Sequence, residues 1–205
     1  VILEESLYEK QKIINEIYQS YIEKDISYLL KVHKIEEFRN LVKLIAKQIG
    51  KLVNFSEISS TLGISIKTLK DYLWYLEKTF ILQKVKPFYA NLRKEITKAP
   101  IFYFYDLGLR NFCCGEFGNL KDLSFPFQNL TFNILKEKIS MSPFRIHFWR
   151  TKDKAEVDFV LDIGEGVIPI EVKYKKLLKK EIPRGLCSFI KKYEPKSSIV
   201  VNLYL

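Results

Sequence analysis

Thiols and imidazoles are scarce in this chain. Its cysteines are Cys113, Cys114 and Cys187, none of them in a CxxC pair, and there are two histidines. Disulfide scaffolds and zinc sites need such ligands in number and at set spacings, so neither is expected. The adjacent Cys113 and Cys114 read as small core fillers at a turn rather than redox groups. No apolar run approaches the length that spans a bilayer, and no secretory leader pattern is present. No membrane partner is expected, and a reducing cytoplasm is the default compartment. A GxxxxGK[ST] loop is absent, so no phosphate cradle of that kind exists in these residues. There is no internal repeat and no low-complexity tract.

What is present is an ordinary globular composition with a basic bias. At 47% hydrophobic and 28% charged residues, the 205-residue chain has enough apolar surface to bury cores, in one large or two small domains. The net charge of +10 favours polyanion partners through counterion release. Its bland rival is a charge that only maintains solubility.

Residues 1–34 read as a helical lead-in, with Leu7, Ile13, Ile14, Ile17, Tyr18, Tyr21 and Ile22 recurring at helical spacing. The stretch 35–50 predicts an amphipathic helix whose stripe is Phe38, Leu41, Leu44, Ile45 and Ile49, stopped by Gly50. Next, Ser56 to Leu62 reads as a short helix, Gly63 as a turn, and Ser65 as the cap of a longer helix through Phe80. Ile66, Leu69, Leu73, Leu76 and Phe80 form the expected buried face of that helix. Helix, glycine turn and second helix match a helix-turn-helix, and ILQKVKPF and PIFYFYD, joined by a basic loop, supply a wing.

Outward on the second helix are Ser65, Lys67, Thr68, Lys70, Asp71, Tyr72 and Trp74 or Tyr75. Lys67 and Lys70 are candidates to neutralise phosphates, Thr68 to reach a base edge, and Arg93, Lys94 and Lys98 in the wing loop to track a nucleic-acid backbone. The rival is a protein-docking winged helix with a solvated charged face.

Asp106 reads as a helix cap. Glycine, serine and proline between 113 and 124 place an internal boundary, giving a winged helix-turn-helix over 35–112 and a second domain over 113–205. Leu123 to Ile139 is an expected helix with Phe127, Leu130, Ile134 and Leu135 inward. Phe144 to Arg150 is an expected strand, with Arg150 and Lys152 as phosphate candidates. Lysines crowd 175–196, among them Lys175, Lys176, Lys179 and Lys180. They read as a nucleic-acid groove or as a solvated helix face. Ile199 to Leu205 closes the chain as an expected buried strand.

The chemistry concentrates in Phe148 to Lys173, FWRTKDKAEVDFVLDIGEGVIPIEVK. AEVDFVLDI and VIPIEVK read as two strands joined at Gly164 and Gly166, with Pro169 signalling a strand start or an edge. Glu171 and Lys173 are two apart and share a face of their strand, and Asp158 reaches them from its neighbour. Mg²⁺ prefers oxygen ligands and commonly takes one or two carboxylates, which Asp158 and Glu171 provide. Lys173 is a candidate to hold the scissile phosphate or to polarise the attacking water. The rival is a set of strand-end charges on a wet face.

The Asp-x12-Glu-x-Lys arrangement resembles the PD-(D/E)xK restriction-endonuclease-like fold. FWRTK, AEVDFVL and IPIEVK, with FYFYDLGLRNF at 102–112, resemble the winged-helix plus nuclease-like C-terminal region of bacterial and archaeal AAA+ ATPases. The resemblance implies an α+β chain: a winged helix-turn-helix, then an α/β nuclease-like domain with a mixed sheet. It also implies a C-terminal fragment of a longer ATP-binding protein, with any ATPase activity in a missing N-terminal module that would be a partner of these residues. Nucleic acid, DNA first, is the other implied partner, and Mg²⁺ the implied cofactor. Asp158, Glu171 and Lys173 are its implied catalytic residues. A helix of that family contributes a further Glu to the metal, and Gln128 stands at the matching position. Glu156, two residues before Asp158, is a candidate replacement. The competing expectation is a nuclease fold retained as an inactive scaffold for docking or nucleic-acid binding.

Overall fold

The computed structural model describes residues 4–21, 34–89, 98–177 and 182–203. Among them are seven helices and six strands, an α+β chain with one mixed sheet in the order β2 (Ile101–Phe104), β1 (Leu82–Pro87), β3 (Arg145–Arg150), β4 (Glu156–Asp162), β5 (Val167–Val172), β6 (Ile199–Val201). No helix of the described residues is long and apolar enough to cross a membrane. The chain divides into two compact units, Val1–Lys84 with Phe102–Asp122, and Val85–Ile101 with Leu123–Leu205.

The first unit is mostly helical. Helix α1 (Leu7–Tyr18) is capped by Ser6, whose hydroxyl accepts from the Glu9 N–H. Its buried contacts narrow to Ile14 and Tyr18, one turn apart, while Leu7 and Ile17 are exposed, contrary to the wider stripe expected. Helix α2 (Ile35–Lys47) buries Phe38, Leu41, Val42, Ile45 and Ala46. Helix α3 (Phe55–Leu62) starts at an Asn54 cap and ends at Gly63, whose φ of 62° is left-handed. Such a φ is costly for a residue with a Cβ, and the glycine supplies it at the turn. Helix α4 (Ile66–Lys78) follows at once, with Ser65 accepting from the Thr68 N–H at 3.0 Å.

The inward face of α4 is Leu69, Tyr72, Leu73 and Leu76. Tyr72 was expected outward; it lies inside, its ring edge-on to Phe38 at 5.2 Å. Ile66 and Phe80 were expected inside and are exposed. The helix stops at Lys78, and Phe80 takes a φ of 59°, which carries its side chain off the helical stripe. Strand β1 (Leu82–Pro87) and strand β2 (Ile101–Phe104) are neighbours in the sheet. Helix α5 (Leu107–Cys113) is capped by the Asp106 carboxylate. The buried Arg110 donates to the Ala46 carbonyl at 2.9 Å and pairs with Glu116 at 2.8 Å. Burial pushes the Cys113 thiol up to about 12, fitting an inert core filler.

In the second unit β1 continues as a strand parallel to β3 (Arg145–Arg150), with Lys86 opposite His147. The expected wing strands are therefore part of the larger sheet, and the loop carrying Arg93 and Lys94 falls outside the described residues. Strand β4 (Glu156–Asp162) is antiparallel to β3 and to β5 (Val167–Val172). β6 (Ile199–Val201) runs parallel to β5. It is short and partly exposed rather than buried, and the last two residues of the expected strand, Tyr204 and Leu205, fall outside the described residues. Pro169 lies mid-β5, opposite Val160, but the ladder to β6 begins only at Ile170. At Pro169 the strand is still an edge, so the missing N–H costs no ladder bond to β6.

Helix α6 (Ser124–Lys138) buries Pro126, Asn129, Thr131 and Phe132. Leu130 and Ile134 were expected inward and are exposed. Helix α7 (Arg184–Tyr193) packs Leu186 and Phe189 against Trp149, Val157 and Val160. Trp149 and Phe189 meet edge-on at 5.2 Å.

Candidate active site

Strand β4 does not alternate regularly. Its register with β3 shifts between His147 and Trp149, so that Asp158 and Phe159 together oppose Phe148. This extra residue is a β-bulge, a device that re-aims side chains. Val157 and Val160, three apart, both enter the cluster with Leu186 and Phe189. Phe159 instead meets Phe132 of α6, with ring centroids 5.7 Å apart. Asp158 accepts from the Gln128 Nε2, one helical turn before Phe132, at 2.5 Å. Positions i and i+4 of α6 thus engage the two consecutive residues of the bulge.

The β4–β5 ladder ends at Phe159 and Ile170. Beyond it the Asp158 carboxylate takes the place of a ladder acceptor, receiving the Val172 N–H at 2.7 Å. Glu171 lies 5% exposed, with Oε1 held by the Lys173 Nζ at 2.7 Å. Asp158, Glu171, Lys173 and Gln128 are therefore brought together. Burial, and then the charge of Glu171, push the Asp158 carboxyl up to about 7, against the opposing pull of the Val172 N–H and Lys173. Burial alone would lower Lys173, but the hydrogen bond and charge of Glu171, with Asp158 and Glu156 adding, outweigh it and raise the ammonium's pKa. Lys173 is thus held as a cation, a donor and not a base.

Two buried oxygens in this group have no hydrogen-bond partner, Glu171 Oε2 and Gln128 Oε1. A buried acceptor without a donor is costly. Together with Asp158 they make an all-oxygen donor set, which fits a hard divalent cation. Among the described residues no three His, Cys, Asp or Glu side chains group as a metal site, and the oxygen that joins the two carboxylates is that of the Gln128 amide. Glu156, the candidate replacement, turns to Arg150, 3.6 Å away, with its side chain 59% exposed.

The helix α7 sits directly on β4. A Cβ built on Gly185 would fall 1.8 Å from the Glu156 carbonyl oxygen, so only glycine permits this approach, two residues from Asp158.

The remaining candidates are dispersed. Lys67 and Lys70 are exposed on α4, and Lys70 lies over the Phe55 ring. The Thr68 hydroxyl is bonded to that of Ser65 at 2.9 Å. Lys98, Lys152, Lys175 and Lys176 are exposed, Arg150 is paired with Glu156, and Lys179 and Lys180 fall outside the described residues. Sequence reasoning missed the bulge and Gly185. The signal for the bulge was the VDFV run, where apolar residues three apart break the period of two; nothing in the residues around Gly185 announced its contact.

Comparison with known proteins gives relatives without a described activity. An uncharacterised Haemophilus influenzae protein is 24% identical over 172 residues, covering 81% of this chain and 41% of that protein. An uncharacterised Mycobacterium tuberculosis protein is 22% identical over 159 residues, covering 75% of this chain and 36% of that protein. The chain thus spans about two fifths of the curated relatives it matches. No solved structure matches. Residues 126–204, which hold the Asp158 group, match the family described as "Domain of unknown function (DUF4143)". Residues 1–119, more than half the chain, match the one described as "Domain of unknown function (DUF8612)", and the chain belongs to that family.

Proposed function

We propose that this chain is the DNA-associated C-terminal module of a longer AAA+-type ATPase, with a PD-(D/E)xK-like site that hydrolyses phosphodiesters with Mg²⁺. The observation that carries this is the group itself: a half-buried Asp158 and a buried Glu171 on adjoining strands, with an unpartnered carboxylate oxygen and Lys173 beside it. Asp158 and Glu171, with the Gln128 amide oxygen, would hold the cation. When bound it neutralises charge on the phosphoryl oxygens and acidifies a water at neutral pH. Lys173 keeps its proton and, 37% exposed, would offer a phosphate oxygen a donor that Glu171 does not take. The bulge and the Val172 N–H fix the Asp158 carboxylate before substrate arrives. Support for the ATPase association comes from the AAA-ATPase-associated setting of the family matching residues 126–204 and from the greater length of the relatives. Support for a winged helix comes from α3, the Gly63 turn, α4 and the neighbouring β1 and β2.

The second reading is an inactive scaffold, favoured by the Gln128 amide that donates to Asp158 where the related fold carries a further carboxylate. Incubation of plasmid and single-stranded DNA with Mg²⁺ or Mn²⁺ separates the two. Cleavage that is lost in Asp158→Ala and Glu171→Ala is the expected result. DNA binding with no cleavage under any divalent metal would instead establish the scaffold.

A further inference from the structure

One residue beyond Lys173, Tyr174 stands 40% exposed with its ring edge-on to Phe127, centroids 5.5 Å apart. Both rings adjoin residues of the site in sequence: Phe127 precedes Gln128, which holds Asp158, and Tyr174 follows Lys173, which holds Glu171. The backbone under Tyr174 is fixed. Lys175 N–H donates to the Lys173 carbonyl at 2.8 Å, closing a three-residue turn with Tyr174 at its apex. Leu203 N–H then donates to the Lys175 carbonyl at 3.1 Å. An aromatic ring on a pinned turn loses little freedom when a ligand covers it. Lys175 and Lys176, which follow, are exposed cations.

We propose that Tyr174, backed by Phe127, is a stacking shelf for an unpaired base, and that the site therefore takes single-stranded or frayed nucleic acid rather than intact duplex. This rests on the reading of Asp158, Glu171 and Lys173 as a phosphodiester site. An exposed ring beside a phosphate-holding ammonium suits a nucleotide whose base is free, because a paired base keeps both faces inside the helical stack. Lys173 holds the phosphate, the ring holds the adjoining base, and Lys175 and Lys176 follow the backbone. A protein ligand would use the same ring but would give no dependence on the base.

The test is equilibrium binding of labelled oligothymidine, the same strand carrying abasic positions, and a duplex, all in EDTA so that cleavage plays no part. The single strand is expected to bind more tightly than the duplex. Tyr174→Ala should weaken single-strand binding about ten-fold while leaving the duplex and the abasic strand unchanged, and Tyr174→Phe should stay within about two-fold of the parent. Tyr174→Leu, which keeps apolar bulk but no ring, guards against a folding artefact and should match Tyr174→Ala. Equal binding of single strand and duplex, or an alanine effect that persists on the abasic strand, overturns the shelf and leaves hydrolysis open. Ring-dependent single-strand binding in a protein that cleaves nothing with Mg²⁺ overturns hydrolysis and retains the shelf. No binding to any of the three probes overturns both.

Discussion

On α4 the side chains of Lys67 and Lys70 stand in solvent, and Thr68 folds its hydroxyl back onto the Ser65 cap. On β4 and β5 Asp158 is half-buried and Glu171 buried, and one carboxylate oxygen lacks a partner. Solvated charge on a helix costs almost nothing, so its presence there says little about use. Charge held in the interior is expensive, and the surrounding fold must sustain it. The helix therefore reads as a surface with ordinary basic character, whereas the strand pair reads as a site.

Five substitutions sharpen this contrast. Gly185→Ala should have the largest effect, because its Cβ meets the Glu156 backbone and forces α7 off β4. A loss of about 3 kcal/mol in urea unfolding is expected, near the upper range for overpacking. Asp158→Asn should instead stabilise. The carboxyl rises from an ordinary 3.8 to about 7 in the folded chain, so the folded state binds more protons between those values. Stability then falls as pH rises from about 4 to about 7 and stays depressed above. The asparagine should remove that slope and gain about 2 kcal/mol at pH 8, less than the full shift implies because one amide oxygen cannot serve both the Gln128 and Val172 donors. Unfolding curves at pH 5 and pH 8 check the sign: no gain at pH 8 would mean the site carries no stored cost.

Smaller changes belong to the helix. Ser65→Ala removes the α4 cap and should cost about 1 kcal/mol. Lys67→Ala and Lys70→Ala should change stability by less than about 0.5 kcal/mol, measured the same way. If either lysine proved as costly as the cap, the solvated reading of α4 would fail.

Local rules carried most elements. Caps at Ser65 and Asp106, the Gly63 turn and the strand pair around Gly164 follow from residues close in sequence, where propensity and capping act. The meeting of Asp158, Glu171 and Lys173 also followed, since two-residue periodicity and a hairpin suffice to bring them together. Helical faces were less legible. Tyr72 lies inward because Phe38, remote in sequence, receives its ring, and Phe80 leaves its stripe because the backbone turns left-handed after Lys78. Leu130 and Ile134 stay exposed because the inward contact of α6 is set by Phe132 and the polar Gln128, which hydropathy alone ranks low. The bulge depends on a register that only three paired strands define.

The parallel pairing of β1 with β3 bears on biosynthesis. Lys86 leaves the ribosome roughly sixty residues before His147, its partner across the ladder, so the β3-facing edge of β1 must wait with open hydrogen-bonding groups. Its composition suits the wait: exposed Lys84 and Lys86 alternate with buried neighbours, and Pro87 ends the strand. Charge and proline are the usual guards against mispairing between nascent chains, which assigns these residues a duty completed before the mature protein exists.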